Sequence, residues 1–292
     1  MTELLIIALA GFVASFVDGA LGMGFGPTSS SILFATGLSP AAVSTTVNLA
    51  KVATGLSAAI AHWRFGNIDR RLVLTLAIPG SVGALVGVTI LASVDGDQLR
   101  PTLALLLVLV ALRMLARFSN AMPAPASNDD EGRLVFDRRA TGVAAATGGV
   151  TNGLVGAWGP VVTPFLLHRG VAPRFAIGSV NTAEVAVATV ASGSLLLSLG
   201  GSGIDPATVL AMLAGGVIAS PIAAWSIRFL PARALGLGVA ALLLVTNLRE
   251  LAGWADIGPQ RWLAYGAVVL ATACAALRPR WAQRRGLEPA TT

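Results

Sequence analysis

Three ionisable side chains lie where apolar sequence leaves little room for charge. Asp18, Lys51 and Glu184 sit deep within long hydrophobic stretches, whereas nearly all other Arg, Asp and Glu residues fall at stretch edges or in loops. A charge at the centre of a membrane span costs roughly 2.5–3.5 kcal/mol on insertion scales, so such residues pair with one another or serve transport. Lys51 is the single lysine among 20 basic residues and falls midway along the apolar stretch 40–63; Glu184 lies equally deep in 172–199. An ammonium there attracts an anion. A carboxylate there competes with that anion or carries a proton. The other account is a pair that only holds two parts of the chain together, although a buried pair contributes little net stability. Asp18 serves equally as an interfacial cap or as a proton site.

Neutral polar residues surround the charges. Thr45, Thr46 and Asn48 precede Lys51, and Ser179, Asn181 and Thr182 precede Glu184. Asn48 and Asn181 each stand three residues before the charge, which puts amide and charge on one helical face. Thr46, Asn48, Ser179 and Asn181 are therefore expected to join Lys51 in holding an anion, although helix–helix hydrogen bonding explains the same groups. Gly24, Gly26 and Pro27, and likewise Gly159 and Pro160, complete the expected binding set. Proline suits the first turn of a helix, and the free N–H groups at such an end bind anions. Tight packing of a kinked segment is the alternative. Glu184 and Asp18 are the expected proton carriers.

Nothing points to catalysis. His62 and His168 lie at stretch edges, Cys274 is the only cysteine, and no spacing suits a metal. The run Gly22-Met23-Gly24-Phe25-Gly26 has no strand before it, so a nucleotide loop is rejected. No enzyme activity, cofactor or metal is expected.

The elements that must position these residues follow from composition. The 292-residue chain is 55% hydrophobic and 12% charged, about half the charge of a soluble domain, and its mean hydropathy is +0.77. Apolar stretches long enough to cross a bilayer cover 40–63, 72–94, 99–117, 172–199, 206–229, 232–251 and 260–277. The net charge of +6 is carried by arginines at stretch ends and in the tail from Arg278 to Arg285. That is the pattern of cytoplasmic flanks rather than of nucleic-acid binding. Glu3 rather than a basic region precedes the first apolar stretch, so a cleaved signal peptide is not expected. Trp63, Trp254, Trp262 and Trp281 fall near expected interfaces, where aromatic side chains anchor.

Two apolar stretches are interrupted. Residues 4–21 and 140–154 run into glycine-rich breaks ending in Gly26-Pro27 and Gly159-Pro160. Broken backbone at membrane depth survives only inside protein or beside a water-filled cavity. Each stretch is expected to form a re-entrant hairpin of two short helices. The insert 120–139 carries Pro123, Pro125 and the acidic run Asp129-Asp130-Glu131, which marks a linker.

The two breaks belong to a repeat. Under a shift of 133 residues, twelve of the 37 positions from 17 to 53 recur, among them Gly26-Pro27, Gly37, Pro40 and Val47-Asn48. Lys51 then stands at the position of Glu184. A shift of 136 pairs Ile68-Asp69 with Ile204-Asp205 and Leu112-Arg113 with Leu248-Arg249. Loop charges reverse between the halves: residues 62–71 carry Arg64, Arg70 and Arg71, whereas 200–206 carry no base. Residues 94–99 hold Asp95 and Asp97, with Arg100 just beyond, whereas the counterpart loop carries Arg228 and Arg233. By the positive-inside rule the repeats are inverted. The expected fold is all-α and polytopic, each repeat a broken hairpin plus three transmembrane helices, with one extra C-terminal helix. The divisions are 1–118 for the first repeat, 119–139 for a cytoplasmic linker, 140–252 for the second repeat, and 253–292 for the last helix and basic tail. Seven crossings put the N terminus outside and the C terminus in the cytoplasm; eleven, if each hairpin crosses fully, keep the same sides.

The chain resembles the TauE/SafE family of sulfite exporters. The resemblance rests on Gly19-Ala20-Leu21-Gly22-Met23-Gly24-Phe25-Gly26-Pro27, Gly37-Leu38-Ser39-Pro40, the stretch from His62 to Asp69, and Gly156-Ala157-Trp158-Gly159-Pro160, and covers about residues 4–277. It implies a permease of the inner (cytoplasmic) membrane for sulfite, an organosulfonate or a similar small anion, with protons as coupling partner. Lys51 lies outside those motifs, and its role rests on the physical argument alone. An uncoupled small-anion channel is the rival expectation. The expected partners are the anion, protons and the lipid bilayer, and not nucleic acid.

Overall fold

The computed structural model describes residues 2–21, 23–119, 134–199, 205–226, 232–259 and 261–277. Most of the expected linker, the loop 200–204, Arg228, and the tail with Trp281 lie outside these residues. Every regular element described is an α-helix: α1 (Thr2–Leu21), α2 (Phe25–Ala35), α3 (Pro40–Arg64), α4 (Arg70–Ser93), α5 (Gly96–Ser119), α6 (Arg138–Val155), α7 (Gly159–His168), α8 (Pro173–Leu199), α9 (Pro206–Ser226), α10 (Ala232–Trp254) and α11 (Arg261–Leu277).

A helix occupies each of the seven stretches expected to span, as α3–α5 and α8–α11. Within α4, α5, α8 and α10 lie segments long and apolar enough to cross a membrane. Large apolar side chains such as Leu74, Leu109, Ile218 and Leu197 are exposed on their outer faces, as a bilayer rather than water requires. Helix starts follow local chemistry. Ser39 accepts the Ala42 N–H ahead of Pro40 in α3. Asp69, Asp137 and Asp205 accept the first free N–H groups of α4, α6 and α9, the ordinary role of Asp before a helix.

The broken stretches differ from the expected pairs of short helices. Only α2 and α7, with 11 and 10 residues, are short. Their predecessors α1 and α6 have 20 and 18 residues, about 30 and 27 Å of helix at 1.5 Å per residue. The glycines that made α6 read as weak helix are contact points instead. A side-chain carbon on Gly149 would run into the α4 backbone at Gly80 and Ala84, and one on Gly83 into α6 at Ala146.

Those contacts set the packing. α4 lies along α6 and α1 along α9. Each pair runs in the same direction: Gly83 and Gly87 meet Ala146 and Val150, while Gly11 meets Met212 and Ser15 meets Gly216. α3 and α8 cross in opposite directions, because Lys51 meets Glu184 while Asn67, past the end of α3, lies against Gly178 near the start of α8. α5 packs on α10. The fully buried Trp158 fills the centre, its indole N–H donating to the Val180 carbonyl at 3.2 Å.

Candidate anion site where the two breaks meet

The α1–α2 and α6–α7 breaks lie against each other. Gly156 ends α6 in the left-handed region, at φ 70°, and Gly24 precedes α2 at φ 155°. Glycine reaches both at little cost. Gly26 sits so close to the Gly156 carbonyl that no side chain fits, and the space its side chain would take lies 3.1 Å from the Lys51 ammonium. Asp18 covers the start of α2, its carboxylate accepting the Phe25 N–H at 3.4 Å.

Lys51 reaches this junction from α3. A lysine has three N–H donors, and here each has a partner. They are the Glu184 carboxylate, the Asn152 side-chain oxygen at 3.0 Å and the Gly156 carbonyl at 2.6 Å. The ion pair is buried, with side-chain exposures of 5% and 14%. Behind it, Asn152 donates to Asn48 Oδ1 at 2.7 Å, and Asn48 donates to the Ser44 carbonyl at 2.9 Å. Ser44 and Ser30 bind the Gly153 and Val155 carbonyls, each at 2.7 Å. The last turn of α6 is thereby held to α2 and α3.

A cavity of about 10 Å³ lies among these groups, roughly the room one water needs. It is lined by Asp18, Lys51 and Glu184 together with Gly24, Gly26, Pro27, Gly159 and Pro160. Two carboxyl groups and one ammonium thus share a small space between two helix starts. Among the described residues no cluster of three or more His, Cys, Asp or Glu side chains is placed to hold a metal.

The other expected contacts lie elsewhere. Thr46 is buried within α3 but does not line the cavity, and Asn48 stands one layer behind it. Ser179 accepts the Asp69 N–H at 3.1 Å, and Asn181 lies 3.5 Å from the His62 ring, both towards the far end of α3. The reason is a broken symmetry. Asn48 turns towards Asn152, whereas the repeat counterpart of Asn152 is Gly19, which has no side chain for Asn181 to meet. Asn152 is invisible to a comparison of the halves for the same reason, since Gly19 offers it no polar match. Thr151, the counterpart of Asp18, donates to the Ala157 carbonyl at 2.8 Å, so one break carries a hydroxyl where the other carries a carboxylate.

Residues 7–249 match the model of the sulfite exporter TauE/SafE family. The chain belongs to that family. It is also 36% identical over 282 residues to the probable membrane transporter protein YtnM of Bacillus subtilis (strain 168), an alignment spanning 92% of this chain and 91% of that one. No solved structure matches. As a TauE/SafE protein it is a membrane transporter and not an enzyme. Every residue lining the cavity lies within the matched stretch, and α11 lies beyond it.

Proposed function

We propose that this transporter carries a small oxyanion of the sulfite or organosulfonate class across the cytoplasmic membrane together with a proton, by exposing the Lys51 site alternately to the two sides. One observation supports the reading: Lys51 has no spare donor, and one of its three partners is itself an anion, the Glu184 carboxylate. Protonation of Glu184 cancels its charge and loosens its hold. An oxyanion then replaces the carboxylate on the ammonium and meets the N–H groups at the starts of α2 and α7. The buried charge stays balanced throughout, which a dry site demands. With Glu184 ionised the site is closed to anions, and this couples the two movements. Asp18 is the relay that brings the proton to Glu184.

Alternating exposure is supported by the packing. Equivalent helices α3 and α8 cross in opposite directions, and α1 lies on α9 as α6 lies on α4, the relationship expected of two inverted repeats about a midplane site. On this reading the repeats are 1–118 and 140–252, the linker and basic tail face the cytoplasm, and the N terminus lies outside.

The test is flux into proteoliposomes for sulfite, thiosulfate, sulfoacetate, taurine and small carboxylates, with and without a pH gradient. Accumulation of one of the anions on the alkaline side is expected. Equilibration without accumulation, whatever the gradient, would instead identify a channel.

A further inference from the structure

The approaches to the site differ between the repeats. α2 is buried almost throughout and carries Thr28-Ser29-Ser30-Ser31, where the corresponding residues of α7 are Val161, Val162, Thr163 and Pro164. Two of the α2 hydroxyls have structural partners: Ser29 donates to the Phe25 carbonyl at 2.5 Å and Ser30 to that of Val155. Thr28 and Ser31 lie three residues apart on one face and differ from these. Ser31 Oγ accepts from Asn247 of α10 at 2.7 Å, while Thr28 Oγ1 and Asn247 Oδ1 have no protein partner, although both residues are at most 1% exposed.

Each such atom costs about 1–3 kcal/mol when left unpaired. Packing alone gives no reason to keep both along one seam, and Ala111, the counterpart of Asn247, shows the apolar solution. One turn beyond Asn247, Glu250 lies 4.0 Å from the Arg100 guanidinium, which donates to the Leu38 carbonyl at 3.1 Å just past the end of α2. Arg100 and Glu250 are partly exposed. Polar groups are thus strung along about 16 Å of α2 at 1.5 Å per residue, from the partly exposed Arg100 and Glu250 to Thr28, the next residue after the cavity-lining Pro27.

We propose that one half of the anion's route runs between α2 and α10, entering at Arg100 and Glu250 and passing Asn247, Ser31 and Thr28 to reach Lys51. This rests on the permease reading and adds the path. The route has a cation paired with a carboxylate at its mouth, and hydroxyl and amide groups but no charge along its length. It suits a small oxyanion that keeps part of its water or a proton.

The full chain carrying Cys274→Ser supplies a cysteine-free background, since Cys274 is the only cysteine. Thr28→Cys and Asn247→Cys are added singly, with Val161→Cys and Ala111→Cys as repeat counterparts. Sealed vesicles of each orientation are treated with sulfonatoethyl and trimethylammonioethyl methanethiosulfonates. Thr28→Cys and Asn247→Cys are expected to react from one side only, with the anionic reagent favoured over the cationic one relative to their reaction with free thiol. Val161→Cys and Ala111→Cys should stay unreacted. No reaction at 28 or 247 in protein that still carries the anion overturns the route, as does equal reaction at 161 and 111. If a cysteine variant does not reach the membrane, flux by Asn247→Leu and Thr28→Val decides: loss in folded protein supports the route and parental flux overturns it. Labelling reads water access whatever anion is carried. One-sided labelling in protein that carries no tested anion would therefore sink the sulfite and organosulfonate reading and leave the path standing.

Discussion

Lys51 and Glu184 stand 133 residues apart, at the same place in the two halves of the chain, and their side chains meet in a buried ion pair. The junction holds α3 to α8 at the point where both broken segments begin their short helices. A pair so placed either staples the halves or is the device the transporter works with. The two roles separate under substitution.

Removing one partner of a buried pair leaves an unpaired charge and costs roughly 3–5 kcal/mol, whereas removing both is often close to neutral. Lys51→Met should therefore lower the melting midpoint in detergent sharply, and Lys51→Met with Glu184→Gln should regain most of the loss. Anion flux should be absent from both. A double variant that transports like the parent would reduce the pair to a staple.

Glu184→Gln alone removes the competitor and keeps the cation. Anion exchange should persist in this variant, while the response of accumulation to a pH gradient should vanish. Parallel measurements of counterflow and of gradient-driven uptake read the two properties separately. Gradient-driven accumulation at the parental level would remove Glu184 from the coupling.

The close approach of the breaks makes Gly26 intolerant of any side chain. Gly26→Ala drives a methyl into the Gly156 backbone beside the Lys51 ammonium, and overpacking of this kind costs about 1–3 kcal/mol. The melting midpoint should fall and flux should be lost. Gly193→Ala in α8 meets nothing within 4 Å and should be neutral or slightly stabilising, because Ala favours helix over Gly.

The long spans were legible because their signals are local: apolar length, a proline at the first turn, an aspartate before it. The Lys51–Glu184 meeting was legible because a shift of 133 residues, which aligns the two glycine–proline breaks, also superposes Lys51 on Glu184. The lengths of α1 and α6 were not. Gly148, Gly149 and Gly153 weaken a helix in isolation, and only the facing backbone of α4, at Gly149 and Gly153, and the Trp158 and Val162 side chains, at Gly148, turn them into contacts. The places of Ser179 and Asn181 were hidden as well, since they depend on how α8 crosses α3. Asn152 escaped because its counterpart Gly19 carries no side chain, so the symmetry that revealed the ion pair concealed its third partner.

Asp205 caps α9, accepting the Ala207 and Thr208 N–H groups at 3.0 and 3.1 Å and the Thr208 hydroxyl at 2.8 Å. These bonds, the hydroxyl foremost, hold its carboxyl below the usual 3.8. A lowered acid stabilises the fold above its unfolded value, and that contribution is lost as pH falls through the lower folded value. Asp205→Asn should therefore differ from the parent in melting midpoint at neutral pH and converge with it in strong acid. A difference that stays constant with pH would remove the charge from the capping role.

Asn152 accepts one N–H of the ammonium beside Glu184 and is in turn held by Asn48. Asn152→Asp puts a second carboxylate on Lys51, so releasing the ammonium to an anion would require two groups to be neutralised instead of one. Flux should fall, and the pH at which it is half-maximal should move to more acidic values. Asn152→Leu leaves one lysine donor unpaired and removes the partner of Asn48, at about 1–3 kcal/mol for each buried group. That variant should melt earlier while its remaining flux keeps the parental pH profile. The contrast between the two profiles, read in the same vesicles, decides whether Asn152 tunes the Lys51 site or only packs beside it. Identical profiles for Asn152→Asp and Asn152→Leu would leave only the packing role.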